Sequence, residues 1–390
     1  MGVERKSRVQ SIDALRGLVM IVMALDHTRE YFHSGAMIFQ PEDLSRTTAI
    51  LFFTRWITHF CAPVFFFTAG TGASFRVRAN RTTVELSRFL WARGLWLVFL
   101  ELTVLRLAMN FSLTRGIVLL SILWALGWSM VALGFLVHLP VRMLAVLSVA
   151  VIALHNLADP VQAAQFGNAA WIWNVLHQLG TFRVGSVTVL ANYPLAPWIF
   201  VMSAGFCFGR IAVPGTVEGR RIAWRLGLVL TLAFLVIRGI NVYGDPLPWS
   251  HHFPGRTVLS FLKCAKYPPS LDFLLMTLGP ALLLLAWFDR RTLGAANPLL
   301  VFGRTPLFYF LGHFFLVHAL TVPFAMVRYG RAGFLFGPLP SLGGTWPAHY
   351  GYDLWVVYAI WIGVVVAMYP LCLWFARLKD RRRDWWLSYL

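Results

Sequence analysis

Arg16 and His27, in the first apolar segment of the chain, are eleven positions apart. At 3.6 residues per turn that is about three turns, so a helix would put both on one face, roughly 16 Å apart along the axis with Met20 and Met23 between them. A guanidinium suits a phosphate or a carboxylate, and an imidazole suits removal of a proton from an attacking hydroxyl or amine near neutral pH. Asp26 adjoins His27 in sequence but lies about 100° round the helix, and Tyr31 lies about one turn beyond His27. Asp13, Arg29, Glu30 and His33 complete the densest polar cluster in any apolar segment of the chain. An ionisable side chain at the bilayer centre costs about 2.5–3.5 kcal/mol on insertion scales, so such a cluster is a functional hypothesis by default. The plainer alternative has Arg16 reaching the interface along its aliphatic stem and His27 bonded to a neighbouring helix.

Other segments carry fewer candidates. Arg55 precedes THFCAPVFFFTAG, in which His59 stands one turn before Pro63, a residue that frees a backbone carbonyl and kinks a helix beside a polar group. Glu101 and Arg106 read as structural ion pairs with other helices. GRTPLFYFLGHFFLVH offers Arg304, His313 and His318; the two histidines differ by five positions, about 140° on a helix, a poor bidentate metal site. No metal is expected. HExxH, GxSxG and P-loop patterns do not occur, which argues against those hydrolase chemistries. Cys61, Cys207, Cys264 and Cys372 are scattered singly, without a disulfide or zinc spacing.

The elements that must position these residues are membrane helices. Of 390 residues 58% are hydrophobic and 13% charged, against roughly 25% charged in a soluble domain, so the surplus apolar surface must face lipid. Apolar stretches of about 17–25 residues recur along the whole chain, each long enough to cross a bilayer as a helix. The fold class read from this pattern is all-α: a polytopic transmembrane helical bundle of about ten spans, near 12–33, 51–75, 89–110, 116–138, 141–157, 192–210, 222–241, 270–288, 297–326 and 352–376, forming one domain over 1–390. The first segment has no small-residue cleavage site and is read as a retained helix. Basic residues test the count. Arg5, Lys6 and Arg8, then Arg76, Arg78, Arg81 and Arg88, then Arg220, Arg221 and Arg225, then Arg290 and Arg291, and finally Arg377, Lys379, Arg381, Arg382 and Arg383 all fall on one side, as the positive-inside rule requires. Arg256, Lys263 and Lys266 weaken the contrast on the opposite side. Both termini are therefore expected in the cytoplasm, in the cell (inner) membrane. The formal charge of +18 is explained by topology and excludes no lipid surface, but it lacks the folded basic face that nucleic acid would need. In the loop 158–191, the stretch AWIWNVLHQL from Ala170 is amphipathic and reads either as an interfacial helix or as a re-entrant turn. The loop 242–269, with five prolines, reads as ordered and external.

Four segments, RVQSIDALRGLVMIVMALDHTREYFH, THFCAPVFFFTAG, YPLAPWIFVMSAGFCFG and FGRTPLFYFLGHFFLVH, resemble in order the signature segments of a bacterial membrane family similar to the catalytic domain of heparan-α-glucosaminide N-acetyltransferase. The wider superfamily of transmembrane acyltransferases also pairs an Arg with a His eleven residues later in its first helix, which Arg16 and His27 match. The resemblance implies transfer of an acyl group, commonly acetyl, from cytosolic acyl-CoA to a hydroxyl or amine of a sugar or glycan on the far side of the membrane. It implies His27 or His33 as general base; the lysosomal enzyme carries an asparagine near the position of His27 and its catalytic histidine after a longer loop, which favours His33. Asp26 would orient the imidazole, Arg16 with Arg93 and Arg304 would hold the phosphates of acetyl-CoA or another acyl-CoA, and Tyr31, His59, His313 and His318 would line the acceptor cavity. Membrane lipid, acyl-CoA and a glycan or other small acceptor are the expected partners; the oligomeric state is left open. Direct transfer and a covalent acyl-histidine route both remain open. The rival reading is a small-molecule or proton-coupled transporter, in which the same buried His, Asp and Arg residues form a proton relay or an anion site.

Overall fold

The structure of the chain is a computed structural model that describes all residues except 1–8, 79–81, 114–115, 214, 252–254, 339, 341–342, 383, 385–386 and 388–390. Arg5, Lys6, Arg8, Arg81 and Arg383, used above for topology, lie outside the described residues, as does the side chain of Arg78.

The chain is mostly helical. Its helices are α1 (Gln10–Phe32), α2 (Ala49–Trp56) running through a tight turn into α3 (Cys61–Arg78), α4 (Thr83–Leu100), α5 (Arg106–Asn110), α6 (Ile122–Leu136) and α7 (Val141–Leu154). After α8 (Ala170–Leu176) come α9 (Leu195–Ile211), α10 (Val217–Ile240), α11 (Arg256–Leu262), α12 (Leu271–Phe288), α13 (Pro298–Arg304), α14 (Pro306–Tyr329) and α15 (Leu354–Arg381). Helices occupy each of the ten stretches read from hydropathy. Six segments are long and apolar enough to cross a membrane by length and composition: Ala49–Val77, Val141–Ala158, Val217–Ile240, Leu271–Phe288, Pro306–Tyr329 and Leu354–Arg381. Local chemistry marks the starts. Thr82 and Glu85 form a capping box at α4, and Thr48, Thr216, Ser270 and Asn297 each accept a backbone N–H at the first turn of α2, α10, α12 and α13.

α1 is the central helix. It packs on α3, α12, α13, α14 and α15, so its charged residues meet protein rather than lipid. The approach to α13 is close: a Cβ at Gly17 would fall 1.8 Å from the Leu299 carbonyl oxygen, and one at Gly303 would fall 1.7 Å from that of Asp13. Glycine at both positions lets the two backbones touch, the small-residue packing that replaces hydrophobic driving force inside a membrane. The basic ends also meet. Asp289, just past α12, accepts from Ser11 Oγ at 3.0 Å and the Gly215 N–H at 3.0 Å, and Arg220 is 4.0 Å away. The starts of α1 and α10 and the end of α12 therefore share one end of the bundle.

The all-α expectation needs correction at several places. A small three-stranded sheet is present, in the order β1 (Val118–Leu120), β3 (Val187–Ala191), β2 (Gly180–Val184), with β1 parallel to β3 and β2 antiparallel to it. The stretch read as a span from 116 thus begins as a strand, and the helix follows at Ile122. The interfacial segment is helical only to Leu176. The stretch 297–326 is two helices broken at Thr305, because Pro306 cannot continue the hydrogen-bond ladder of α13. Glu101 makes no ion pair among the described residues; it sits in a π-turn and accepts from Ser121 Oγ at 2.6 Å and from the N–H groups of Ser121, Leu123 and Trp124, closing the open N-terminus of α6. The 242–269 segment contains α11 and is held to α10 by Arg238, a buried guanidinium donating to the carbonyls of Leu247, Ser260, Phe261 and Lys263. Asp272 and Asp245 lie 3.7 and 3.8 Å from it, and burial pushes the Asp245 carboxyl up despite its hydrogen bonds.

Candidate active site

His27 projects from α1 onto α14, where its Nδ1 lies 2.7 Å from His313 Nε2; the two rings are near-parallel with centroids 5.0 Å apart, and Phe314 packs 3.9 Å from His27 on the same side. The bonding fixes the tautomers. His313 Nδ1 is 2.9 Å from the Tyr309 carbonyl, which can only accept, so Nδ1 carries the proton and Nε2 of His313 is a lone pair. His27 must then donate from Nδ1, which leaves its Nε2 as a lone pair that no described residue engages. An imidazole held in one orientation with an unprotonated outer nitrogen can take a proton or attack a carbonyl.

Asp26, expected beside this imidazole, is turned elsewhere. Its Oδ1 accepts from Arg29 Nη2 at 3.0 Å and Nε at 3.3 Å, and its Oδ2 pairs with Arg55 Nη1. The Arg55 Nε donates at 3.0 Å to Glu42, whose same oxygen takes a hydrogen bond from His59 Nε2 at 3.1 Å. Burial alone would raise the Glu42 carboxyl, but the Arg55 guanidinium and the His59 bond hold it well below the usual carboxylate range. The result is a continuous chain of ion pairs and hydrogen bonds, Arg29, Asp26, Arg55, Glu42 and His59, that ties α1 to α2 and to the segment between them. The imidazole partner of His27 is thus His313 and not Asp26, because Asp26 faces α2, about 100° round α1 from His27.

His33 follows the last turn of α1, where its N–H donates to Arg29 and its backbone bridges Tyr352; its Nδ1 is buried without a partner. Tyr31 is fully buried and donates to the Met109 carbonyl at 2.6 Å. His318 stacks on Phe111 at 3.7 Å and faces the carbonyls of Ala108 and Leu335 at 2.8 and 2.9 Å. Tyr31 and His318 are therefore joints between α1, α14 and the end of α5, with ring centroids 4.9 Å apart. At the other end of α1, Arg16 donates from Nε to Thr68 Oγ1 at 3.0 Å and from Nη2 to the Thr68 carbonyl on α3. Arg304 is brought to that end by the contact of Gly303 with Asp13 and pairs with Asp380 at 3.6 Å. Arg93, on α4, packs its guanidinium 5.9 Å over the Phe89 ring. No group of three or more metal-ligating side chains occurs among the described residues.

Sequence reading missed two features here. Glu42, in a polar connection with no periodicity, gave no signal. The pairing of His27 with His313, 286 positions away, is a tertiary fact, although both residues were candidates.

A central charged helix, a two-histidine contact between α1 and α14 and several apolar helices fit a multi-pass membrane protein. The chain belongs to the family described as heparan-alpha-glucosaminide N-acetyltransferase, catalytic, whose model matches residues 8–243. That family is one of membrane acetyltransferases. Comparison with curated proteins gave no match. Arg16, Asp26, His27, His33, His59 and Arg93 lie within the matched part; Arg304, His313 and His318 lie beyond it.

Proposed function

We propose that the chain transfers an acyl group, acetyl first among the candidates, from cytosolic acyl-CoA to a hydroxyl or amine of a sugar or glycan on the outer side of the cell membrane. It does so as a ten-span bundle with both termini inside. The observation that carries this reading is the bonded pair His27–His313 with a lone pair on His27 Nε2. In direct transfer, Nε2 takes the acceptor's proton as its oxygen or nitrogen attacks the thioester carbonyl; the C–S bond then breaks and the same proton leaves on the CoA sulfur. His313 accepts a hydrogen bond from Nδ1–H throughout and so stabilises the imidazolium that forms. In the covalent variant the same lone pair attacks the thioester carbonyl first, the C–S bond breaks and CoA leaves as the thiolate; the acceptor then attacks the acyl-imidazolium, the C–N bond to Nε2 breaks to restore His27, and the acceptor's proton goes to the CoA sulfur. Arg16 and Arg304, which sit at the opposite end of α1 from His33, are assigned to the phosphates of acyl-CoA together with Arg93.

Purified chain should melt at a higher temperature with acetyl-CoA. His27→Ala should keep that rise and lose about 10²- to 10⁴-fold of transfer, the usual contribution of a general base. His33→Ala should cost less, because His33 stands at the helix end and has no imidazole partner. The reverse order would make His33 the base; no melting response at millimolar acetyl-CoA would end the acyl-CoA reading.

A further inference from the structure

The start of α10 carries a basic group that the residues assigned to acyl transfer leave unexplained. Arg221, Trp224, Arg225 and Leu228 stand at helical spacing, so they share one face, and all four are exposed. Leu232, Leu235 and Val236 continue that face along the helix and are exposed as well. The other side of α10 is turned to α12, with Ala223, Gly227 and Phe234 buried; a Cβ at Gly227 would fall 2.8 Å from the Leu283 nitrogen, so the two backbones touch. The exposed face is therefore a stripe of apolar side chains headed by two guanidinium groups with a tryptophan between them.

The end of α12 adds charge at the same level. Arg220 lies 4.0 Å from Asp289, and the next two residues, Arg290 and Arg291, are exposed. The Arg291 guanidinium sits 5.0 Å over the ring of Trp287, which is itself exposed. Carboxylates are scarce there. Asp289 is already engaged by Ser11, the Gly215 N–H and Arg220, and Glu218 stands in the first turn of α10. Among the described residues Arg221, Arg225, Arg290 and Arg291 form no ion pair, whereas Arg304 and Arg382 pair with Asp380 and Asp384.

We propose that this face of α10 binds an anionic phospholipid, its phosphate on Arg221 and Arg225 and its acyl chains along Leu228, Leu232 and Leu235. A phosphodiester accepts the forked N–H donors of guanidinium groups, tryptophan settles at the level of the headgroups, and the leucines beyond it need hydrocarbon. Arg290 and Arg291 keep the potential at that level positive, which favours a lipid of net negative charge over a zwitterionic one whose ammonium they repel. The positive-inside rule explains arginines at this end of the bundle, but not two of them framing a tryptophan on the lipid-facing stripe of one helix. The inference does not need acyl transfer; it uses the ten-span arrangement only to place the lipid in the inner leaflet.

The test is native mass spectrometry of the full chain in detergent micelles, titrated with phosphatidylglycerol or with phosphatidylethanolamine of the same acyl chains. Phosphatidylglycerol should bind more tightly. Arg221→Gln combined with Arg225→Gln should weaken its binding roughly 25-fold, at about fivefold for each arginine, and leave phosphatidylethanolamine little changed. The charge-matched pair Arg377→Gln and Arg381→Gln, at the exposed end of α15, should keep the preference, which separates a site from general attraction to a basic surface. Equal binding of the two lipids, or equal loss in the α15 variant, would overturn the site. Displacement of the lipid by millimolar glycerol 3-phosphate would show that a free phosphate suffices, and would overturn the lipid as occupant. If acetyl-CoA displaces the lipid and the α10 variant loses the acetyl-CoA melting shift, these arginines belong to the donor and the proposal fails; lipid preference without any response to acetyl-CoA upholds it and refutes the transferase reading alone.

Discussion

Replacing His313 by Leu removes the acceptor that holds His27 Nδ1–H, and the structure sets the size of the effect. His313 is fully buried and its Nε2 lies 2.7 Å from His27, so the lost contact has no water to replace it. In the resting state it is a neutral hydrogen bond; once His27 has taken a proton it becomes a bond from a cation, worth about 1.5–3 kcal/mol. The neutral bond is worth about 0.5–1.5 kcal/mol, so the difference that appears in the transition state is about 1–1.5 kcal/mol, and at 1.36 kcal/mol per decade it predicts a fall in kcat of about 5- to 13-fold. This is smaller than the loss expected for His27→Ala, because the proton acceptor itself remains. His313→Gln should recover part of the rate, since its amide oxygen can accept from Nδ1–H, while an apolar side chain cannot. The assay is steady-state CoA release with acetyl-CoA and a glucosaminide acceptor, with acetyl-CoA melting shifts to show that donor binding survives. Full activity in His313→Leu would refute the positioning role. Loss as deep as in His27→Ala, with no recovery in His313→Gln, would make His313 the base.

Arg16→Ala should blunt the melting response to acetyl-CoA while His27→Ala preserves it; an unchanged shift in Arg16→Ala would remove Arg16 from the donor site. Reporter fusions after Arg221 and Arg291 should report cytoplasm, and fusions at Gln162 and Gly343 the exterior; opposite signals at any two would sink the ten-span arrangement. Arg238→Met leaves four carbonyls and two buried carboxylates without their cation, so the chain should lose about 3–5 kcal/mol of stability, read as early loss of helix on heating. An unchanged melting profile in that variant would show that the 242–269 segment does not depend on Arg238.

The membrane character of the chain was legible in its residues because a bilayer demands long apolar helices, and a length of about 20 residues can be counted without knowing any neighbour. The shared face of Arg16 and His27 was legible for the same kind of reason, a local helical period. The hairpin of β2 and β3 was also readable, since FRVGSVTVL places a two-residue Gly-Ser loop between β-branched runs, and the hydropathy of its surroundings masked it. Glu101 shows where counting charges misleads: a buried carboxylate seeks donors of any kind, and the open N-terminus of α6 offered them in place of an arginine. What only the tertiary structure decided is the partnership of each polar side chain. Whether Asp26 meets His27 or Arg55, and whether His313 meets a cavity or His27, depends on which helix faces which across the bundle, and between apolar helices that pack by small residues and shape no sequence period encodes that choice.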